Sequence, residues 1–180
     1  MPSAADCSRY VARSLTSSRE GSASALLDSY RSAVRPRAGE STAEAFERVR
    51  ARLFVYDIFP PRIVGYAVCP DGQVKDGAVV VQRLGVGPLA IESATRVVEI
   101  WDRFEPSGGS RSSGFAYVTL EGHPECGVAT FEVVCEREAA FVVLTARSMP
   151  GTLATRLVGP ITRLVQRRIT RLAVERLAAG

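Results

Sequence analysis

The sequence has few of the side chains on which metal and nucleophilic chemistry usually depend. His123 is its one histidine, and its four cysteines form no C-x-x-C pair. A zinc site on paired cysteines is therefore not indicated, and a catalytic triad would have to use a histidine in a turn. We expect reduced thiols rather than a disulfide framework. Because P-loop and G-x-S-x-G motifs are also absent, we expect neither a metal nor a cofactor.

Long apolar runs are missing as well. No stretch approaches the roughly 20 residues that a membrane-spanning helix needs, and no apolar signal segment follows the N-terminus. We therefore expect a cytoplasmic protein without membrane insertion. The net charge of +4 comes mainly from arginines in the tail after residue 151. Aromatic residues do not alternate with these arginines, so we expect no nucleic-acid partner.

A chain of 180 residues is long enough for one sizeable hydrophobic core. We expect a flexible N-terminal segment over 1–21 and a single domain over 22–180. The capping box Ser41-x-x-Glu44 precedes apolar residues spaced by three and four, which predicts a helix over 43–58. A second apolar stripe predicts a long helix over 157–177.

Between these helices the apolar residues change to an alternating pattern, which is typical of strands. The predicted strands are 63–68, 77–84, 89–101, 114–120, 128–135 and 139–146. The fold class is therefore α+β, mainly antiparallel β. We expect a curved sheet that closes into a β-barrel around a cavity, because many consecutive strands must cover their edges. A helix-grip cup is the alternative.

The hairpin over 113–136 is the first place to look for chemistry. Its two alternating runs flank a polar corner that contains His123 and Glu125. A Gly/Pro-rich turn that merely connects two strands is the competing interpretation. Arg83 and Glu132 lie within predicted strands, where they either face solvent or form a buried polar cluster with shifted pKa values.

Several motifs carry a family resemblance from about residue 30 to the C-terminus. They are L-F-V-Y-D-I-F-P-P, R-L-G-V-G-P-L, G-F-A-Y-V-T-L-E-G-H-P-E-C-G and L-V-G-P-I-T-R-L-V-Q-R-R. With these motifs the chain resembles a bacterial and plant family catalogued as a domain of unknown function. It departs from the family pattern at Val128 and Ala129, where two acids are usual, and at Tyr56, where tryptophan is usual.

In size, predicted barrel and the arginine bias typical of actinobacteria, the chain is also similar to small spiroacetal cyclases of polyketide antibiotic biosynthesis. This resemblance implies a cofactor-free enzyme that closes a dihydroxy-ketone into a spiroacetal by general acid and base catalysis, with loss of water. We assign the catalytic roles to a carboxylate, two orienting donors and an acid-base group at the rim. These candidates are Glu132 or Asp57, Tyr117 and Arg83, and His123 or Glu125.

Two other functions stay open at this point. A helix-grip cup that binds a hydrophobic, polyketide-like small molecule or a lipid would need the cavity but no titrating pair. Alternatively, the arginine-rich tail helix docks on an acidic partner or on a membrane surface. A homodimer is also left open.

Overall fold

The computed structural model describes residues 4–16, 26–85, 90–105, 109–150 and 159–180. Within these ranges the chain forms three helices and seven strands. The helices are α1 (Ala4–Val11), α2 (Thr42–Phe54) and α3 (Gly159–Ala179). The strands are β1 (Leu26–Ala33), β2 (Val64–Cys69), β3 (Val79–Leu84), β4 (Ile91–Glu105), β5 (Ser110–Thr119), β6 (Glu125–Glu136) and β7 (Ala139–Pro150). The predicted helix start at 157 and the predicted strand start at 89 lie outside the described residues.

The seven strands form one antiparallel sheet in the order β1-β7-β6-β5-β4-β3-β2. The predicted α+β class and curved antiparallel sheet are thus confirmed. The predicted closure into a barrel is wrong, because in the described part of the chain β1 and β2 are the two edges and do not pair with each other. Helices α2 and α3 cover the apolar side of the sheet instead. The helix-grip cup is therefore the architecture.

Helix α2 begins where the sequence predicts. The Ser41 side chain accepts from the backbone N–H of Glu44, and the Glu44 carboxylate accepts from the backbone N–H of Ser41. The predicted end at residue 58 is four residues too late. After Val55, Tyr56 adopts a φ of 59°, which is incompatible with a right-handed helix.

The sheet has an inner face, against which α2 and α3 pack, and an outer face. The inner face belongs to the larger hydrophobic core, which includes Phe46 and Val49 of α2, Phe115 and Phe131 of the sheet, and Leu177 of α3. The outer face of β2 and β3 is covered by α1, and these elements form a second, smaller core. No helix within the described ranges is long and apolar enough to cross a membrane.

Helix α1 lies in the segment that the sequence analysis treats as a flexible N-terminus. Its Cys7 and Tyr10 are buried against the outer face, where Val79 and Val81 supply an apolar surface. The expectation of four reduced thiols is wrong, because Cys7 forms a disulfide with Cys69. The two residues are 62 positions apart, with Cα atoms 6.3 Å from each other, so only the folded chain brings them within bonding range.

Candidate functional site

Aromatic rings fill the inner face of the cup. Phe115 and Phe131 are cross-strand partners, and their rings stack with centroids 5.3 Å apart. The Tyr117 ring is also 5.3 Å from that of Phe131, and the Tyr56 ring lies 5.4 Å from that of Tyr66. A polar atom that is buried among these rings requires a hydrogen-bond partner.

Gln82 and two of these tyrosines place their polar groups in a series, which we call the tyrosine chain. The amide Nε2 of Gln82 donates to the hydroxyl oxygen of Tyr56 at 2.7 Å. The Tyr56 hydroxyl in turn interacts with that of Tyr117, and each affects the pKa of the other. The series thus joins strands β3 and β5 through the turn that follows α2.

Both phenols are un-ionised at neutral pH. Burial raises the pKa of Tyr56 well above its ordinary value. Burial also raises the pKa of Tyr117 to about 12, while the interaction with Tyr56 opposes the increase and the charge of Glu125 adds to it. The tyrosine chain therefore offers neutral hydroxyl groups, which donate and accept hydrogen bonds without carrying charge.

Tyr56 reaches the inner face through an unusual backbone conformation. A φ of 59° is rare for a bulky residue and costs free energy, so the surrounding contacts must hold it in place. The N–H of Tyr56 donates to the carbonyl of Leu53 at 3.0 Å, and its own carbonyl accepts from the N–H of Ile58 at 2.8 Å. The result is a tight turn with a fully buried tyrosine side chain.

An ion cluster, which we call the Asp57 clamp, fastens this turn to the helices. The Asp57 carboxylate accepts from Nε of Arg52 at 2.9 Å and from Nη2 of Arg176 at 2.7 Å. Arg176 also donates to the Asp57 carbonyl oxygen at 2.9 Å. Partial burial favours a higher pKa for Asp57, but Arg176 and Arg52 outweigh it and the pKa is lowered. Asp57 is therefore a paired anion that ties α2 and α3 together.

The hairpin corner lies at the Tyr117 end of the tyrosine chain. Glu125 accepts a hydrogen bond from Nε2 of Gln166 in α3 at 3.0 Å. Nδ1 of His123 lies 3.0 Å from the backbone nitrogen and 2.8 Å from the backbone oxygen of Glu125. Burial lowers the pKa of His123, while its contacts with Glu125 oppose the shift. His123 thus contacts Glu125, whose charge in turn acts on Tyr117.

Two sequence-predicted residues lie away from this region. Glu132 is on the outer face, where its cross-strand partner is Gly114. The Trp101 ring lies so close to this glycine that a Cβ on it would be 2.8 Å from Cζ2 of Trp101. Partial burial raises the pKa of Glu132, although Trp101 and two arginines oppose the increase. Arg83 is exposed on the outer side of β3. Neighbouring residues of a strand point to opposite faces of the sheet. Glu132 and Arg83 therefore do not share the inner face with the residues next to them.

Sequence reasoning did not select Gln82 and Gln166 as site residues. Gln82 follows the run Val79–Val81, which is apolar on both faces because α1 covers the outer side. The pattern therefore gives no signal for the side that Gln82 takes. Gln166 lies in an amphipathic helix whose neighbours cannot be assigned from its own sequence. Within the described ranges, no group of three His, Cys, Asp or Glu residues is placed to hold a metal ion.

A family model described as a domain of unknown function (DUF1990) matches residues 16–176. The chain belongs to the DUF1990 family. This confirms the family resemblance drawn from the motifs. No curated protein matches the sequence.

Solved structures resemble this DUF1990 protein in fold. The protein TTHA0849 from Thermus thermophilus has a TM-score of 0.51 and 10% identity, over 85% of this chain and 94% of that one. Ginseng major latex-like protein 151 from Panax ginseng has a TM-score of 0.47 and 14% identity, over 85% and 94%. Norcoclaurine synthase from Thalictrum flavum, in complex with dopamine and hydroxybenzaldehyde, has a TM-score of 0.43 and 12% identity, over 84% and 87%.

Proposed function

We propose that this DUF1990 protein binds a small hydrophobic molecule that carries a hydroxyl or carbonyl group. The observation behind the proposal is the tyrosine chain, which ends at the Tyr117 hydroxyl inside an aromatic interior. Binding sites for small molecules are mostly apolar and contain a few placed polar groups that orient the ligand. The inner face of the cup has this composition.

The order of donors in the tyrosine chain supports a hydrogen bond from Tyr117 to the ligand. Gln82 donates to Tyr56, and the Tyr56 hydroxyl interacts with Tyr117 and lowers its pKa. A hydroxyl group has one donor and two acceptor positions, so Tyr117 retains capacity for a further partner. Glu125 on the same side supplies a carboxylate acceptor for a ligand hydroxyl.

Stable protonation of the phenols favours binding over proton transfer by these groups. A general acid or base works best when its pKa is near the operating pH. The pKa of Tyr117 is about 12, which suits a hydrogen-bond donor that orients an oxygen. We therefore assign Tyr117 to ligand binding rather than to proton transfer.

Native mass spectrometry tests the proposal with a metabolite extract as the source of ligands. The protein is incubated with the extract, washed and analysed beside the Tyr117→Phe and Glu132→Gln variants. We expect a bound small molecule on the unchanged protein and on Glu132→Gln, and at least about tenfold less on Tyr117→Phe, because one hydrogen bond in an apolar site is lost. Equal retention by Tyr117→Phe would contradict the proposal.

A second candidate function is the spiroacetal cyclase, and the effect of the Glu125 charge on the pKa of Tyr117 favours it. In this reaction a substrate hydroxyl attacks the ketone carbon and gives its proton to Glu125, while Tyr117 stabilises the carbonyl oxygen, which takes up a proton to form a hemiacetal. Loss of that oxygen as water and attack by the second hydroxyl complete the spiroacetal. His123 is the second acid-base group at the rim.

Product analysis separates this candidate from simple binding. A bound dihydroxy-ketone that leaves the protein with one water less indicates a cyclase, whereas an unchanged mass indicates a binding protein. We expect Glu125→Gln to reduce turnover by about a hundredfold or more if Glu125 accepts the proton. Full turnover in this variant would exclude Glu125 from the proton-transfer role.

A further inference from the structure

A surface cavity of about 420 Å³ lies apart from the tyrosine chain. It is enclosed by the end of β1, the Pro60 segment and the last two turns of α3. None of the three side chains of the tyrosine chain lines it. Its volume is within the range of about 300–1,000 Å³ that is usual for small-molecule sites, so the cavity is large enough to hold a small molecule.

Small side chains produce the hollow. Ser32 and Ala33 of β1 face Ala178 and Ala179 of α3 across the cavity. The backbone is secured at the same place, because the N–H of Arg35 donates to the carbonyl of Ala178 at 2.9 Å. Small apolar side chains therefore line part of the cavity, beside a hydrogen bond that joins the segment after β1 to α3.

The charged groups at the cavity differ in whether their side chains have ion-pair partners. Arg176 uses its guanidinium on Asp57. Arg35 also lines the cavity, and its side chain has no ion-pair or hydrogen-bond partner among the described residues. Glu175 is the acidic group on the lining. Together with Arg52 and Asp57 of the adjacent clamp, the charged groups near the cavity are three guanidinium groups and two carboxylates.

We propose that this cavity binds a small carboxylate with a short apolar chain. The carboxylate pairs with Arg35, whose planar donors match its two oxygens, and the apolar chain lies against the alanine-lined walls and Pro60. Glu175 opposes the ligand charge and limits affinity. This second site is independent of the ligand proposed for the tyrosine chain.

Isothermal titration calorimetry with octanoate tests the inference, and octanol is the uncharged comparison. We expect saturable binding of one octanoate, weakened about tenfold or more by Arg35→Glu and strengthened by Glu175→Gln. Ala179→Leu fills the hollow and should abolish binding. Circular dichroism shows whether each variant retains the native fold.

Two control variants locate the site. Arg147→Glu makes the same change of charge at an exposed position on β7, and Tyr117→Phe alters the tyrosine chain. Both should bind octanoate as the unchanged protein does. Absence of octanoate binding, equal weakening by Arg147→Glu or Tyr117→Phe, or an equal effect of Arg35→Glu on the binding of octanol and of octanoate would each overturn the inference.

Discussion

The two faces of the central strands hold their polar groups in different ways. On the inner face, Tyr56 and Tyr117 are neutral phenols whose hydroxyl groups interact, and Gln82 donates to Tyr56. On the outer face, Glu132 lies beside Trp101, and Arg103 pairs with Glu99 in a solvent-exposed ion pair. Neutral polar groups can be buried once they are hydrogen-bonded, whereas charges favour contact with water. We propose ligand recognition for the inner face on the basis of this comparison.

Truncation of a large side chain should show the greatest difference between the faces. Phe131→Ala removes a buried inner ring that stacks on Phe115, and we expect a loss of about 3–5 kcal/mol in unfolding free energy. Phe141→Ala on the half-buried outer face should cost about 1 kcal/mol. Urea unfolding measures both, and equal losses would break the comparison.

Removal of one cation should separate the Asp57 clamp from an outer-face ion pair. Arg176→Ala leaves Asp57 with Arg52 as its remaining partner, so we expect a loss of about 1–2 kcal/mol in unfolding free energy. Arg103→Ala removes the exposed pair with Glu99 and should change stability by less than about 0.5 kcal/mol. A larger effect at Arg103 than at Arg176 would refute the structural role of the clamp.

Deletion of a single oxygen should sharpen the comparison further. Tyr117→Phe retains the ring but removes the hydroxyl that interacts with the buried Tyr56 phenol, and we expect a loss of about 1 kcal/mol in unfolding free energy. Glu132→Gln on the outer face should leave the unfolding free energy at neutral pH unchanged or slightly higher, because a partly buried carboxylate is neutralised. Chemical unfolding at pH 7 measures both variants.

The smallest expected effects are changes of stability with pH, and they have opposite signs for Asp57 and for Glu132. The folded state lowers the pKa of Asp57 below 3.8, so its ionic contribution is present above pH 3.8 and is lost as the pH falls through the folded-state value. The folded state raises the pKa of Glu132 above 4.5. Proton binding at Glu132 therefore stabilises the fold as the pH falls towards 4.5.

Unfolding free energies between pH 2 and pH 7 check these signs. Asp57→Asn should flatten the decline in stability at the acid end, and Glu132→Gln should remove a small rise between pH 7 and 4.5. Arg147→Ala serves as the control, because Arg147 is not among the groups that shift the pKa of Asp57 or of Glu132. A steeper acid decline in Asp57→Asn would show that the clamp does not hold an ionised carboxylate.

Local patterns were sufficient for much of the fold. The capping box of Ser41 and Glu44 set the start of α2, and period-two alternation identified β5 and β6 and placed Phe115 and Tyr117 on one face. These features depend on contacts between residues that are close in sequence. They could be predicted because the chain itself supplies both partners.

Three decisive features arise from contacts between distant residues. The α1 helix makes the outer face of β3 apolar, so the run Val79–Val81 does not reveal that Gln82 faces inward. The disulfide joins Cys7 to Cys69, which the packing of α1 on the sheet brings together. The open sheet likewise depends on α2 and α3, which cover the face that a barrel would have enclosed.

The sequence by itself determined the α+β class, most of the strands and the polar hairpin corner with His123 and Glu125. Only the tertiary structure decided that Tyr56 joins Tyr117 inside the cup while Asp57 is committed to Arg52 and Arg176. The physical reason is the left-handed backbone of Tyr56. That conformation is disfavoured locally and persists because packing and ion pairs from across the fold stabilise it.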